Sequence, residues 1–95
     1  MGQITLKGIN TQGIEWEKSY DVNHTISVQQ EGLISLDLTP LKDCTSLKHL
    51  DLSSNDLRSI DLSPLSSCID LEDLYIYNNQ LYEIDLSPIK TCING

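Results

Sequence analysis

Basic residues are scarce in this 95-residue chain. Six lysines and arginines stand against fourteen aspartates and glutamates, giving a net charge of −8 and a pI near 4.3. Without a basic patch the chain lacks the electrostatic footprint of a nucleic-acid binder, and anionic membrane surfaces repel it. Long apolar runs are missing as well. None approaches the roughly 18 residues a transmembrane helix needs. Residues 1–8 hold no apolar stretch of signal-peptide length, so the expected location is the cytoplasm. There is no phosphate-cradling glycine loop, no nucleophile motif and no cysteine pair at zinc-ligand spacing. The expectation is a non-enzyme with no cofactor and no bound metal.

What the chain does contain is ordinary in amount and regular in placement. Hydrophobic residues make up 39%, close to a typical globular composition. The length suggests one domain with a thin core. The three prolines stand at positions 40, 64 and 88, and the three cysteines at 44, 68 and 92, both series stepping by 24. Asp37, Asp61 and Asp85 keep the same step, as do Leu38, Leu62 and Leu86. A fixed period in this range marks an array of stacked units and outranks local readings. The units are 23–46, 47–70 and 71–94, preceded by residues 1–22 outside the period.

Each unit reads as one strand followed by one short turn. Leu50-x-Leu52 alternates with period two, as a strand with inward leucines does. Stacking the units places equivalent strands about 4.8 Å apart. Asn55 and Asn79 end their strands, where an inward amide can satisfy backbone groups that the bend leaves unpaired. Ser63-Pro64 reads as an N-cap with proline at the first position of a short helix or 3₁₀ turn, and Thr39-Pro40 and Ser87-Pro88 repeat it. The first unit departs from this pattern: Asn23 replaces the leading leucine, Glu31 the asparagine, and Gly32 follows it. Within residues 1–22, Ile4-Thr5-Leu6 and Ile14-Glu15-Trp16 alternate on either side of a polar stretch, which predicts a β-hairpin. Covering the first unit is its expected role, with Trp16 as the main plug and Tyr20 beside it.

The pattern Leu-x-x-Leu-x-Leu-x-x-Asn-x-Leu, carried by Leu47, Leu50, Leu52, Asn55 and Leu57 and repeated from Leu71 to Leu81, resembles the leucine-rich repeat family. The resemblance implies an α/β repeat solenoid, coiled right-handed. It would carry a parallel sheet on its concave face and short helical or 3₁₀ turns on its convex face. It also implies a non-catalytic module that binds a protein partner, because members commonly use the non-leucine strand positions as a recognition surface. Here those positions form three columns: Thr25, His49 and Asp73; Ser27, Asp51 and Tyr75; Gln29, Ser53 and Tyr77. Tyr82 joins them, since three of the five aromatic residues fall in the last unit and tyrosine suits interfaces. The alternative is a structural role: a homodimer through the third unit, or a fragment of a longer array.

Three further features have competing readings. The cysteines are expected as buried small hydrophobes, because parallel side chains in a stack cannot pair readily. An exposed, reactive Cys92 is the other reading. Asp37, Asp61 and Asp85 are expected to accept local backbone N–H groups, with calcium binding as the alternative. His49 beside Asp51 and Asp73 suggests acid–base work only weakly, since no nucleophile is placed with them.

Overall fold

A computed structural model describes residues 3–21 and 24–89. Two three-stranded sheets form it. The first contains β1 (Gln3–Asn10), β2 (Glu15–Asp21) and β4 (Leu33–Asp37) in the order β2-β1-β4, all antiparallel. The second contains β3 (Thr25–Ser27), β5 (His49–Asp51) and β6 (Asp73–Tyr75), all parallel, in the order β3-β5-β6. Behind the parallel sheet run three 3₁₀ turns, Thr39–Asp43, Ser63–Ser67 and Ser87–Ile89, which pack against one another in sequence. The described residues contain no α-helix. The expected α/β class is therefore corrected to β strands joined by 3₁₀ turns. The proline in each turn fixes φ but, with only a few residues before the next strand, no α-helical turn is completed.

The period of 24 governs the parallel sheet. Thr25 lies opposite His49 and His49 opposite Asp73, while Ile26, Leu50 and Leu74 form the inward row. Hydrogen bonding continues past the strand ends, from Val28 N to Asp51 O at 2.7 Å and from Leu52 N to Tyr75 O at 2.7 Å. Gln30, Ser54 and Asn78, again 24 apart, take left-handed conformations with φ of 60°, 61° and 58°. This bend swings Asn55 and Asn79 inward. Asn55 is 5% exposed. Its Oδ1 accepts from the backbone N–H of Glu31 and Leu33 at 3.0 and 3.1 Å. Its Nδ2 donates to Val28 O at 2.9 Å and Leu52 O at 3.1 Å. Asn79 repeats the arrangement one unit later, accepting from Leu57 N and donating to Leu52 O, both at 3.0 Å. Each asparagine thus stitches its own unit to the one before it, satisfying buried backbone groups.

The 3₁₀ turns are started by the aspartates rather than by Ser or Thr. Leu38 and Leu62 occupy the cap positions and offer no side-chain bond. Asp37, Asp61 and Asp85 instead accept from the N–H of Thr39, Ser63 and Ser87, each at 2.9 Å. The expected Ser63 N-cap is therefore corrected: the capping acceptor stands two residues earlier. These bonds hold all three carboxyls below the usual carboxylate range. For Asp37 the bond from the Thr39 hydroxyl is the larger cause; for Asp61 and Asp85 it is the backbone bond.

Leucines from every unit build one continuous core. Leu33, Leu41, Leu47, Leu50, Leu52, Leu57, Leu65 and Leu71 are all completely buried. Cys44 and Cys68 are buried within it, as small hydrophobes are. Cys92 lies outside the described residues. The hairpin closes over Asn10, whose Oδ1 accepts from Gln12 N and Ile14 N at 2.9 and 3.0 Å. Its deepest contribution is Leu6, fully buried; Trp16 and Tyr20 are only partly so. Leu6 rather than Trp16 is the main plug.

Strand β4 was not expected. It forms because β1 supplies an edge, pairing Lys7 with Asp37 and Gly8 with Leu36. The equivalent residues of later units, 57–61 and 81–85, are not strands. At Gly8 the backbones run so close that an added Cβ would meet Ser35 O at 2.4 Å, a contact only glycine permits.

Candidate functional site

The face of the parallel sheet carries most of the residues expected to bind a partner. Thr25, Ser27 and Gln29 are exposed, and His49, Asp51 and Asp73 are half-buried. Tyr75 and Tyr77 are 45% and 58% exposed. They project from one side of the same segment, two residues apart, with ring centroids 6.4 Å apart in an edge-to-face arrangement. Asp51 lies directly across the ladder from Tyr75. Asp73 lies two residues before Tyr75, so period-two alternation brings both carboxylates to the Tyr75 side. The Asp51 carboxylate is fixed in place, accepting at Oδ1 from Ser53 N at 2.9 Å and from Ser53 Oγ at 2.5 Å.

Two of the expected residues fall elsewhere. Ser53 is fully buried. The chain leaves the strand after Asp51 and turns through the left-handed Ser54, which rolls Ser53 under the surface to bond the Asp51 carboxylate. It cannot be offered to a partner. Tyr82 is 72% exposed but belongs to the column of Ile34 and Arg58, past the asparagine bend; its N–H donates to Arg58 O at 3.2 Å. It stands apart from the strand face.

His49 makes one specific contact. Its Nδ1 lies 2.7 Å from Asp73 Oδ2, across the β5–β6 ladder. Of the two aspartates set beside His49 by the repeat, Asp73 makes this contact, while Asp51 Oδ1 accepts from Ser53. Glu72 completes a cluster that sequence reading missed. One ligand-type atom each from His49, Glu72 and Asp73 lies within 4.8 Å of the others. The signal available was the period itself, which sets residues 48 and 49 beside 72 and 73. Among the described residues, no serine hydroxyl or cysteine thiol is bonded to this group.

A cavity of about 420 Å³ lies on the other sheet. It is a shallow saddle over Gly8 bordered by Lys7, Ile9, Glu15, Glu17 and Asp37. Trp16 lines it only in part, and its other contacts are with the core. Near that sheet the Tyr20 hydroxyl is buried without a hydrogen-bond partner. Burial, and secondarily the negative charge of Glu31, pushes its pKa up to about 12. Among the described residues, no helix is long and apolar enough to cross a membrane.

Residues 45–91 match a family model described as Leucine Rich repeats (2 copies). No curated protein and no solved structure matches the chain.

Proposed function

Residues 45–91 carry leucine-rich repeats and belong to that family, and on this premise we propose that the chain is a non-catalytic module that binds a partner protein through the face of its parallel sheet. Leucine-rich repeat domains are generally protein–protein interaction modules. The reading treats the array as a short solenoid with that sheet on its concave side, residues 1–22 as its cap and 23–95 as three repeats. The observation that carries it is the exposed Tyr75–Tyr77 pair flanked by Asp51 and Asp73. Paired tyrosines present large area with polar tips at low entropic cost, and such residues anchor interfaces. The carboxylates favour a partner whose contact surface is basic or mixed in charge. A cytoplasmic location belongs to the same proposal and fits a core in which Cys44 and Cys68 are not joined by a disulfide.

The test is affinity capture from the source cell's lysate with wild type and the Tyr75→Ala/Tyr77→Ala double variant. The expected result is a protein retained by wild type and lost from the variant. Retention of the same protein by both sinks the assignment of the site.

A second reading draws on the third repeat. Leu86 is 49% exposed where its counterpart Leu62 is 2%, and Leu74 is half-buried where Leu50 is fully buried. A second unit, either another copy or further repeats, would cover these side chains. Light scattering decides this: a monomer at every concentration argues against self-association.

A further inference from the structure

We propose that His49, Glu72 and Asp73 form a binding site for a first-row divalent transition cation, of which zinc is the test case, clasping the second and third repeats together. His49 and Asp73 come from adjacent strands and Glu72 immediately precedes the second of them, with their relative position fixed by backbone bonds. Asp73 faces His49 in register. The N–H groups of Glu72 and Asp73 both donate to Lys48 O, at 2.8 and 3.0 Å. The backbones that carry the three donor groups are consequently held together by the ladder and by the bonds just before it.

The distances suit a metal. All three donor atoms lie within 4.8 Å of one another, with Nδ1 and Oδ2 at 2.7 Å. Tetrahedral zinc, with bonds of about 2.0–2.2 Å to nitrogen and oxygen, separates its ligand atoms by about 3.3 Å. Side-chain rotation alone closes that difference, since His49 and Asp73 are half-exposed and Glu72 is exposed.

Charge and donor type point the same way. Two carboxylates share one imidazole, which can hydrogen-bond to one of them and neutralise at most one. A divalent cation balances both. An imidazole nitrogen in the donor set favours zinc, cobalt or nickel over magnesium and calcium, which prefer oxygen alone. Three protein ligands leave at least one coordination position for water or for a donor from another molecule. The clasp is peculiar to this junction: one unit earlier the corresponding positions are Thr25, Lys48 and His49, which hold no carboxylate. Lys48 borders the same groove as Glu72, so its ammonium competes for that carboxylate. His49 and Asp73 are therefore the more telling positions.

The experiment is calorimetric titration of the full chain with zinc chloride, for wild type, His49→Gln, Asp73→Asn, Glu72→Gln and, as control, His24→Gln. His24 and His49 are the two histidines of the chain. The expected result is one zinc per chain. Affinity should fall at least tenfold in His49→Gln and Asp73→Asn, fall several-fold in Glu72→Gln, and stay unchanged in His24→Gln. Zinc should also shift the His49 ring resonances in nuclear magnetic resonance spectra and raise the melting temperature of wild type but not of His49→Gln. Wild-type affinity in His49→Gln overturns the proposal, as does calcium binding as tightly as zinc. Cobalt supplies a separate readout: a thiolate charge-transfer band would place the metal on a cysteine and overturn it equally.

Discussion

Replacing Asn55 by alanine should remove a large part of the chain's stability, and the size of the loss follows from the bonds that remain. Five backbone groups contact the Asn55 amide: the N–H of Glu31 and Leu33, and the carbonyls of Val28, Leu52 and Ser53. Two of these keep another partner. Leu52 O still accepts from Asn79 Nδ2 at 3.0 Å, and Ser53 O still accepts from Gln30 N at 3.2 Å. Leu33 N, Glu31 N and Val28 O lose the bond that Asn55 supplied. Leu33 and Val28 are fully buried, so water cannot replace the amide there without opening the bend. A buried group left unpaired costs about 1–3 kcal/mol. Two such groups and the more accessible Glu31 N–H together give about 3–5 kcal/mol. A 95-residue chain has a total stability of about 5–14 kcal/mol at the usual figure per residue. The variant should therefore be marginal. Asn79 is half-buried and serves fewer groups that depend on it: its Oδ1 accepts from one N–H, that of the buried Leu57, where Asn55 accepts from two, and the buried Leu52 O to which it donates keeps Asn55 as a partner. Its alanine variant should lose about 1–2 kcal/mol. Urea unfolding followed by circular dichroism measures both, with the denaturant slope checked for constancy. A loss below about 1 kcal/mol for Asn55→Ala, or equal losses at the two positions, would refute the reasoning.

Two pH predictions follow from the titrating side chains. Asp37, Asp61 and Asp85 are held below their ordinary value of 3.8 by the bonds that start the turns. The stability this gives is present above that value and is lost as pH falls through the depressed range. Replacing all three by asparagine keeps an acceptor for each turn and removes the titration, so the acid limb of a stability–pH curve should flatten. An unchanged acid limb would count against these carboxylates. Tyr20 has the opposite sign. Its hydroxyl ordinarily titrates at 10.0 and is raised to about 12, so its contribution is complete below pH 10 and disappears between there and 12. Tyr20→Phe should flatten the alkaline limb. Because the buried hydroxyl has no partner, the variant should be neutral or more stable by about 1 kcal/mol at pH 7. A clear loss of stability on thermal melting would show that the hydroxyl is satisfied.

The repeat made the parallel sheet legible residue by residue. A step of 24 puts Thr25, His49 and Asp73 in one row before any coordinates are known, and the rows pair as expected. The inward asparagines were legible for the same reason, since an amide at a strand end has an evident use. What escaped sequence reading depends on partners distant along the chain. Leu33–Asp37 becomes a strand only because β1 lies beside it; the same pattern at 57–61 has no such neighbour and stays irregular. Ser53 alternates outward on paper, but the left-handed Ser54 turns it inward. The aspartates' role was legible as well, since each was expected to accept local backbone N–H groups and does so; only the N-cap suggested by the Ser-Pro and Thr-Pro pairs that follow them does not form. Glu72 joined His49 and Asp73 because strand β6 begins after it, so strict alternation does not apply.

The asparagine bonds run backwards along the chain, and this sets which piece of the molecule can be moved as a unit. The block 47–70 contains Asn55, whose amide serves residues 28–33 of the preceding block, while its own Leu57 N–H is served by Asn79. A block excised by the sequence period would arrive in a new setting bearing its neighbour's closure and missing its own. Grafting, duplication or recombination of these repeats therefore preserves hydrogen bonding only where the incoming segment is followed by another asparagine in register. The portable module is a repeat plus the first third of its successor.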